Sequence, residues 1–243
     1  MKMKHTLIYT FLLLILLGSD IPAGLAQQNS GQQQPTPKQR VRGPRLGVDV
    51  SGLVYHYIEP DRLSVSIYGD YEIMPAIFSV VEIGRLQINR EQTPFNYTSK
   101  GYFGKIGADY NFLHNKLEPV AQYDMIYGGL RIGAARYRHQ ASNITIQNDY
   151  WGNYQRGDYS SRTMQAFWME LVAGIRVEAL KNFFLGWSLR GQIMMSQKKD
   201  PRMDTWMIPG YGKAENNTGI YFTYTFSYRI PLTRVPAQPP ALF

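Results

Sequence analysis

The chain contains no cysteine. That excludes disulfide bonds, thiol catalysis and lipid attachment through an N-terminal cysteine together. Histidine is scarce as well: beyond His5 there are only His56, His114 and His139, and no two stand at metal-ligand spacing. No loop carries the acidic pattern of a calcium site. No glycine-rich turn leads from a strand into a helix to cradle a phosphate, because Gly128-Gly129 falls inside a strand-like run. The expectation is therefore no metal and no cofactor. Also missing, anywhere beyond Ala26, is an apolar run approaching the roughly 18 residues of a membrane-spanning helix. If this chain crosses a membrane it must do so as a closed barrel.

The N-terminus is organised differently from the rest. Lys2 and Lys4 precede an apolar run from Leu7 to Leu17, and the small-residue stretch Gly24-Leu25-Ala26 precedes Gln27. This pattern predicts a secretory signal peptide over residues 1–26. Residues 27–45 are rich in Gln, Pro, Gly and Ser, a composition that cannot bury a core and predicts a disordered basic tether. Lys38, Arg40, Arg42 and Arg45 stand in it with no acidic residue among them, about half of the formal net charge of +8. Such an arm suits an anionic periplasmic surface or a protein partner. Nucleic acid is not expected, since a secreted protein does not normally meet it.

From Leu46 onward the chain breaks into eight segments of period two, separated by polar, Pro-, Gly- or Asn-containing stretches. They run over residues 46–58, 63–73, 77–88, 101–112, 123–137, 166–178, 183–195 and 218–231. The last is the clearest: Ile220, Phe222, Tyr224, Phe226, Tyr228 and Ile230 alternate with Tyr221, Thr223, Thr225, Ser227 and Arg229. Side chains alternate across a strand, so each segment has one apolar and one polar face. Long connections at 89–100, 138–165 and 196–217 contrast with tight turns at Met74-Pro75 and Leu180-Lys181-Asn182, the asymmetry of outer-membrane barrels. The predicted fold is all-β, an eight-stranded antiparallel transmembrane barrel over residues 46–232 with a short tail at 233–243. An even strand count puts both termini in the periplasm.

Volume decides which face meets lipid. The lumen of an eight-stranded barrel only just holds packed side chains, and Phe167, Met169, Trp187, Phe222, Tyr224 and Phe226 with dozens of aliphatic residues would overfill it. The opposite face, with Gly84, Gly107, Gly129, Gly133, Gly174 and Gly186, fits. That face brings Asp49, Asp70, Glu72, Glu82, Asp109, Glu170 and Glu178 together with Lys105, Arg131, Arg176, Arg190 and Arg229. Buried charges persist only when paired, so an internal ion-pair network is expected to plug the lumen. Tyr55, Tyr57, Tyr71, Tyr102, Tyr137, Phe183 and Tyr228 suit girdles at the two membrane interfaces.

Two further clusters stand outside the strands. Tyr150, Trp151, Tyr154 and Tyr159 crowd the third outer loop, and Trp206, Met207, Ile208, Pro209 and Tyr211 the fourth. Exposed aromatics anchor binding surfaces, although such loops can also extend the barrel as hairpins that pack on themselves. His139, with Ser142 three residues on and Asp149 and Asp158 in the same loop, is the one hydrolase-like grouping. Its spacing matches no nucleophile motif, and no catalytic residue is assigned.

The ordered pieces Gly69-Asp70-Tyr71, Gly107-Ala108-Asp109-Tyr110-Asn111, Tyr127-Gly128-Gly129-Leu130-Arg131-Ile132-Gly133, Tyr150-Trp151-Gly152, Phe184-Leu185-Gly186-Trp187-Ser188-Leu189-Arg190 and Ile208-Pro209-Gly210-Tyr211, followed by the Phe226 to Leu232 ending, resemble a family of small eight-stranded outer-membrane barrels of unknown function from Bacteroidota. The resemblance covers essentially the whole chain after the leader. It implies the fold and a place in the outer membrane, and no activity. The expected role is structural or interactive in the cell envelope, in contact with outer-membrane lipid, lipopolysaccharide and an envelope protein partner. The alternatives are a lipid-modifying enzyme and a narrow pore or transport accessory.

Overall fold

In the computed structural model, residues 39–92, 95–114, 123–146, 154–201 and 203–236 are described. The expected signal peptide, the first part of the tether and the end of the tail lie outside these residues. The strands are β1 Gln39–Arg42, β2 Arg45–Asp49, β3 Arg62–Met74, β4 Ile77–Gln92, β5 Phe95–Asn111, β6 Met125–Ile146, β7 Tyr154–Leu180, β8 Phe183–Gln197, β9 Met207–Ile208, β10 Gly212–Lys213, β11 Thr218–Arg229 and β12 Thr233–Pro236. Helix α1 covers Ser51–Ile58. The strands β2 to β8 and β11 close into an eight-stranded ring, each antiparallel to its neighbours, with β11 completing it against both β8 and β2.

Register follows from the period-two pattern, because a slip of one residue would turn every charge outward. Glu82 stands opposite Lys105 across β4 and β5, and Arg131 opposite Glu170 across β6 and β7. On the outside, Ile106, Leu130, Ile132, Leu171, Val177 and Ile220 form the exposed wall, with Leu171 67% and Ile220 72% accessible. The tight turns hold the same end of the barrel as Arg45 and Arg229. At one of them Asn182 takes φ +64°, a left-handed conformation that Asn tolerates, and its backbone N–H donates to Glu178 Oε1 at 2.7 Å.

Four expectations need correction. Residues 46–58 do not form one strand: β2 ends at Asp49, whose Oδ1 accepts from the Ser51 backbone N–H and hydroxyl, and the chain turns there into α1. Residues 39–45 are not a free tether, since β1 pairs with β12 in a small sheet and Arg45 opens the barrel wall. The outer connections are shorter than the pattern suggested, because β4 and β5 continue to Gln92 and from Phe95, and β6 and β7 to Ile146 and from Tyr154. Tyr137, expected at a membrane interface, is buried in the lumen.

Candidate functional site in the lumen and mouth of the barrel

The lower lumen is filled by charge. At the turn end Arg229 donates through Nη2 to Glu178 Oε1 at 3.1 Å and Asn182 Oδ1 at 2.9 Å, with its guanidinium 3.6 Å from the Tyr123 ring centre. Next to it Asp70 accepts from Arg45 at 2.7 Å and lies 3.1 Å from Arg176. Glu72 receives Arg40 at 2.6 Å and Arg42 at 3.8 Å. Above these, Glu82 is surrounded by Arg190 at 2.7 Å, Arg131 at 3.5 Å and Lys105 at 3.6 Å. Arg131 also binds Asp109 at 3.0 Å, Lys105 binds Glu170 at 2.9 Å, and Arg190 lies 4.0 Å from Asp49. All twelve charged residues expected inside are there, each in an ion pair.

Reasoning from the sequence missed Arg40, Arg42 and Arg45, which the composition of the arm assigned to solvent. For Arg45 a signal existed: it continues the inward phase of Gly47 and Asp49. Arg40 and Arg42 carry no such signal, because the β1–β12 pairing that aims them at Glu72 joins the two ends of the described chain.

The upper lumen is different in kind. The inward phase that carries Glu82 and Lys105 continues upward with Leu86, Ile88 and Phe103, and β6 and β7 add Ala135, Tyr137, Met164, Ala166 and Trp168, all buried. These apolar residues meet the β9–β10 hairpin, which folds back from the connection between β8 and β11 into the mouth. Ile208 and Tyr211 pack in the cluster with Trp168 and Phe103, and Met207 packs with Leu86, Ile88 and Tyr97. The hairpin turns at Gly210, φ +73°, and Gly212, φ +110°. Any larger residue would also collide there with the Phe103 ring and the Tyr221 hydroxyl, respectively.

Polar contacts sit at the boundary between the two storeys. Gln192 donates to Glu170 at 2.5 Å and to the Gly210 carbonyl at 3.0 Å, and Trp168 Nε1 donates to Glu170 at 2.7 Å. The Tyr211 hydroxyl donates to the Asn216 carbonyl at 2.8 Å, and Tyr137 and Thr205 share a hydrogen bond of 3.2 Å. Higher up, His139 stands edge-on to Tyr97 and Tyr137, with Nε2 3.5 Å from the Asp200 carboxylate. Arg162 reaches the same carboxylate at 3.8 Å.

This arrangement revises the expectation for the fourth outer loop. Tyr211 is 1% accessible and Trp206 half-buried under the Arg90 guanidinium, so neither is an exposed anchor: the hairpin spends its aromatics inside the barrel. Tyr159 is half-buried in the β6–β7 extension, opposite Ala141. Tyr150 and Trp151 lie outside the described residues, and Tyr154 is placed only as the first residue of β7. The hydrolase-like grouping is not assembled. His139 and Ser142, three apart on one strand, point to opposite faces; Asp158 accepts from the Asn143 N–H at 3.1 Å on the exposed hairpin, and Asp149 lies outside the described residues. Among the described residues no cluster of acidic and histidine side chains could hold a metal ion.

Below the Arg229 layer a recess of about 690 Å³ lies between β1, the β7–β8 turn and the segment leading into β12, lined by Val41, Tyr123, Leu180, Leu232 and Arg234 among others. Glu178 and Arg229 form its roof, already paired to each other.

A family model described as a domain of unknown function, DUF6048, matches residues 5–235. A comparison with curated proteins gives no match. Among solved structures, the N-terminal β-barrel domain of Pseudomonas aeruginosa OprF is similar at 12% identity over 78% of this chain and 98% of that one, with a TM-score of 0.37. A major outer membrane protein from Thermus thermophilus is similar at 8% identity over 77% and 99%, TM-score 0.41. Acinetobacter baumannii CarO2 is similar at 9% identity over 79% and 100%, TM-score 0.37.

Proposed function

The chain belongs to the DUF6048 family, and from its barrel we propose an outer-membrane protein with a structural or interaction role in the bacterial cell envelope and no catalysis. The observation that carries this reading is the sorting of side chains. Leu46, Ile106, Leu130, Leu171 and Ile220 are exposed on the wall, while Glu82, Glu170, Arg176 and Arg190 are buried inside it. In water that arrangement would leave a large apolar belt unburied, which is unfavourable. In a bilayer the belt is solvated by hydrocarbon, and the strands close into a ring whose incomplete seam, between β3 and β11, is occupied by α1. Both termini are then periplasmic, the β1–β12 sheet and the recess beneath Arg229 face the periplasm, and the β9–β10 hairpin closes the outer mouth. The partners are outer-membrane lipid, lipopolysaccharide and an envelope protein met by the basic arm or the outer loops. The resemblance to barrels of Bacteroidota supports an envelope of that kind.

Density fractionation of the native envelope, with heat-modifiable migration on gels, tests the location; recovery in the soluble periplasmic fraction would refute it. A mild-detergent pull-down with mass spectrometry tests the role. A stable envelope partner supports it, and an isolated monomer counts against it.

A further inference from the structure

The outward face of the barrel changes character along β4, β5 and β6. Outward residues of these strands pair side by side into rungs. Val81, Ile106 and Ile132 make one rung, and Ile83, Gly104 and Ala134 the next. Above them the rungs turn cationic: first Arg85, Tyr102 and Arg136, then Gln87, Lys100 and Arg138. All four cations are exposed. The change is confined to this sector. The same two rungs continue on β3 into Val65 and Leu63, and the outer faces of β8 and β11 present Ile193, Met195 and Ile220.

These cations differ from those in the lumen, where Lys105, Arg131, Arg176 and Arg190 each stand against a carboxylate. Among the described residues, Arg85, Lys100, Arg136 and Arg138 form no ion pair. Their contacts are weak ones: Arg85 lies 5.7 Å from the Tyr102 ring centre and 3.5 Å from Gln87 Oε1, and Arg138 Nε donates to Thr163 Oγ1 at 3.2 Å. No Asp or Glu occupies the outward phase of β5 or β6, and on β4 Glu91 does so only three rungs above Arg85. Height places the group at a membrane boundary. From Ile77, beside the tight turn, to Arg85 the strand climbs about 26 Å at roughly 3.3 Å per residue. At a tilt near 40° that is about 20 Å along the membrane normal, close to the top of an apolar belt about 25 Å tall.

Building on the membrane reading above, we propose that this sector binds a phosphate-bearing anionic lipid of the outer leaflet. The phosphate is held among Arg85, Lys100, Arg136 and Arg138, and the acyl chains lie on Ile83, Ile106 and Ile132 below. Guanidinium forks match phosphate oxygens in pairs, and the lysine adds a point charge. The long stems of these side chains run along the wall while their heads reach the interface. Continuity selects a lipid over an acidic protein. The cations stand directly on the apolar belt, so the ligand that satisfies both carries an anion and hydrocarbon in one molecule. A zwitterionic headgroup brings its own cation and gains less from the cluster.

The full chain in palmitoyl-oleoyl phosphatidylcholine vesicles at low ionic strength tests this, with trace spin-labelled phosphatidic acid or spin-labelled phosphatidylcholine. Electron paramagnetic resonance reads the fraction of each label that is motionally restricted at the protein surface. The expected fraction is about two-fold larger for phosphatidic acid. It should fall to the phosphatidylcholine level in Arg85→Gln/Lys100→Gln/Arg136→Gln/Arg138→Gln and persist in Lys181→Gln/Arg234→Gln at the opposite end. Equal fractions for the unsubstituted chain overturn the site while leaving the membrane reading intact. So does a preference that survives the fourfold substitution, or one lost equally from the Lys181 and Arg234 variant. A chain that restricts neither label refutes the membrane reading, and the site with it. If the fourfold variant loses its heat-modifiable migration, Arg136→Gln/Arg138→Gln takes its place, with about half of the preference expected to go. An acidic protein captured by the unsubstituted chain and lost from the variant, without any lipid preference, would assign the cations to that protein instead.

Discussion

Glu82 is the residue on which the lower lumen turns, since one carboxylate, 2% accessible, meets three cations. A buried ion pair is weak evidence for net stability, because desolvation offsets much of the attraction. Removing one partner is another matter. Glu82→Gln leaves Arg190, Arg131 and Lys105 short of a counter-charge and is expected to cost about 3–5 kcal/mol in urea unfolding from vesicles. Glu91→Gln, on the exposed end of β4, is expected to change stability by no more than about 0.5 kcal/mol. In the upper storey Ile208→Ala should cost about 2–5 kcal/mol by opening a cavity. Gly210→Ala combines a strained backbone with a clash against Phe103, and the expected result is release of the hairpin, seen as faster proteolysis between Met203 and Asn216.

The strands were legible because their period is local. Each inward or outward assignment depends only on neighbours two residues away, and seven of the eight barrel strands lie where the alternation placed them. The wall supplies the matching prediction. Leu171→Arg on β7 is expected to cost about 2–4 kcal/mol in the same unfolding assay, as a charge at mid-membrane does. Helix α1 was not legible in this way. Ser51 to Ile58 is short and apolar enough to read as either element, and what decides is the Asp49 carboxylate turning the chain at Ser51, together with the close approach of Gly52 to β3. The inward fold of β9–β10 was similarly hidden. Trp206 and Tyr211 look like an exposed aromatic loop until Leu86, Ile88, Phe103 and Met164 are recognised as apolar positions in the inward phase, with nothing on their own strands to cover them.

At the level of the whole molecule the lumen has two seals of different chemistry, an ionic layer below and an apolar hairpin above. A pore would need both to yield. Purified protein in planar bilayers is expected to show no steady conductance, and replacing residues 203–216 by a short Gly-Ser link is expected to leave it closed, because the charges around Glu82 remain paired. Steady channels from that variant would show that the ionic layer does not close the barrel. The candidate hydrolase grouping failed for a related reason. His139 was read with its sequence neighbours, whereas the carboxylate beside it is Asp200, brought from the connection between β8 and β11.

The sequence alone therefore determined seven of the eight barrel strands and which of their faces turns inward, because alternation is written residue by residue and volume allows only the face that carries the charges inside. The ring closure decided which charges meet, that the fourth outer loop fills the mouth, and that a helix stands in the wall between β3 and β11. Those outcomes depend on contacts across the barrel between residues far apart in the chain, and periodicity states which face a side chain takes without stating what lies opposite it.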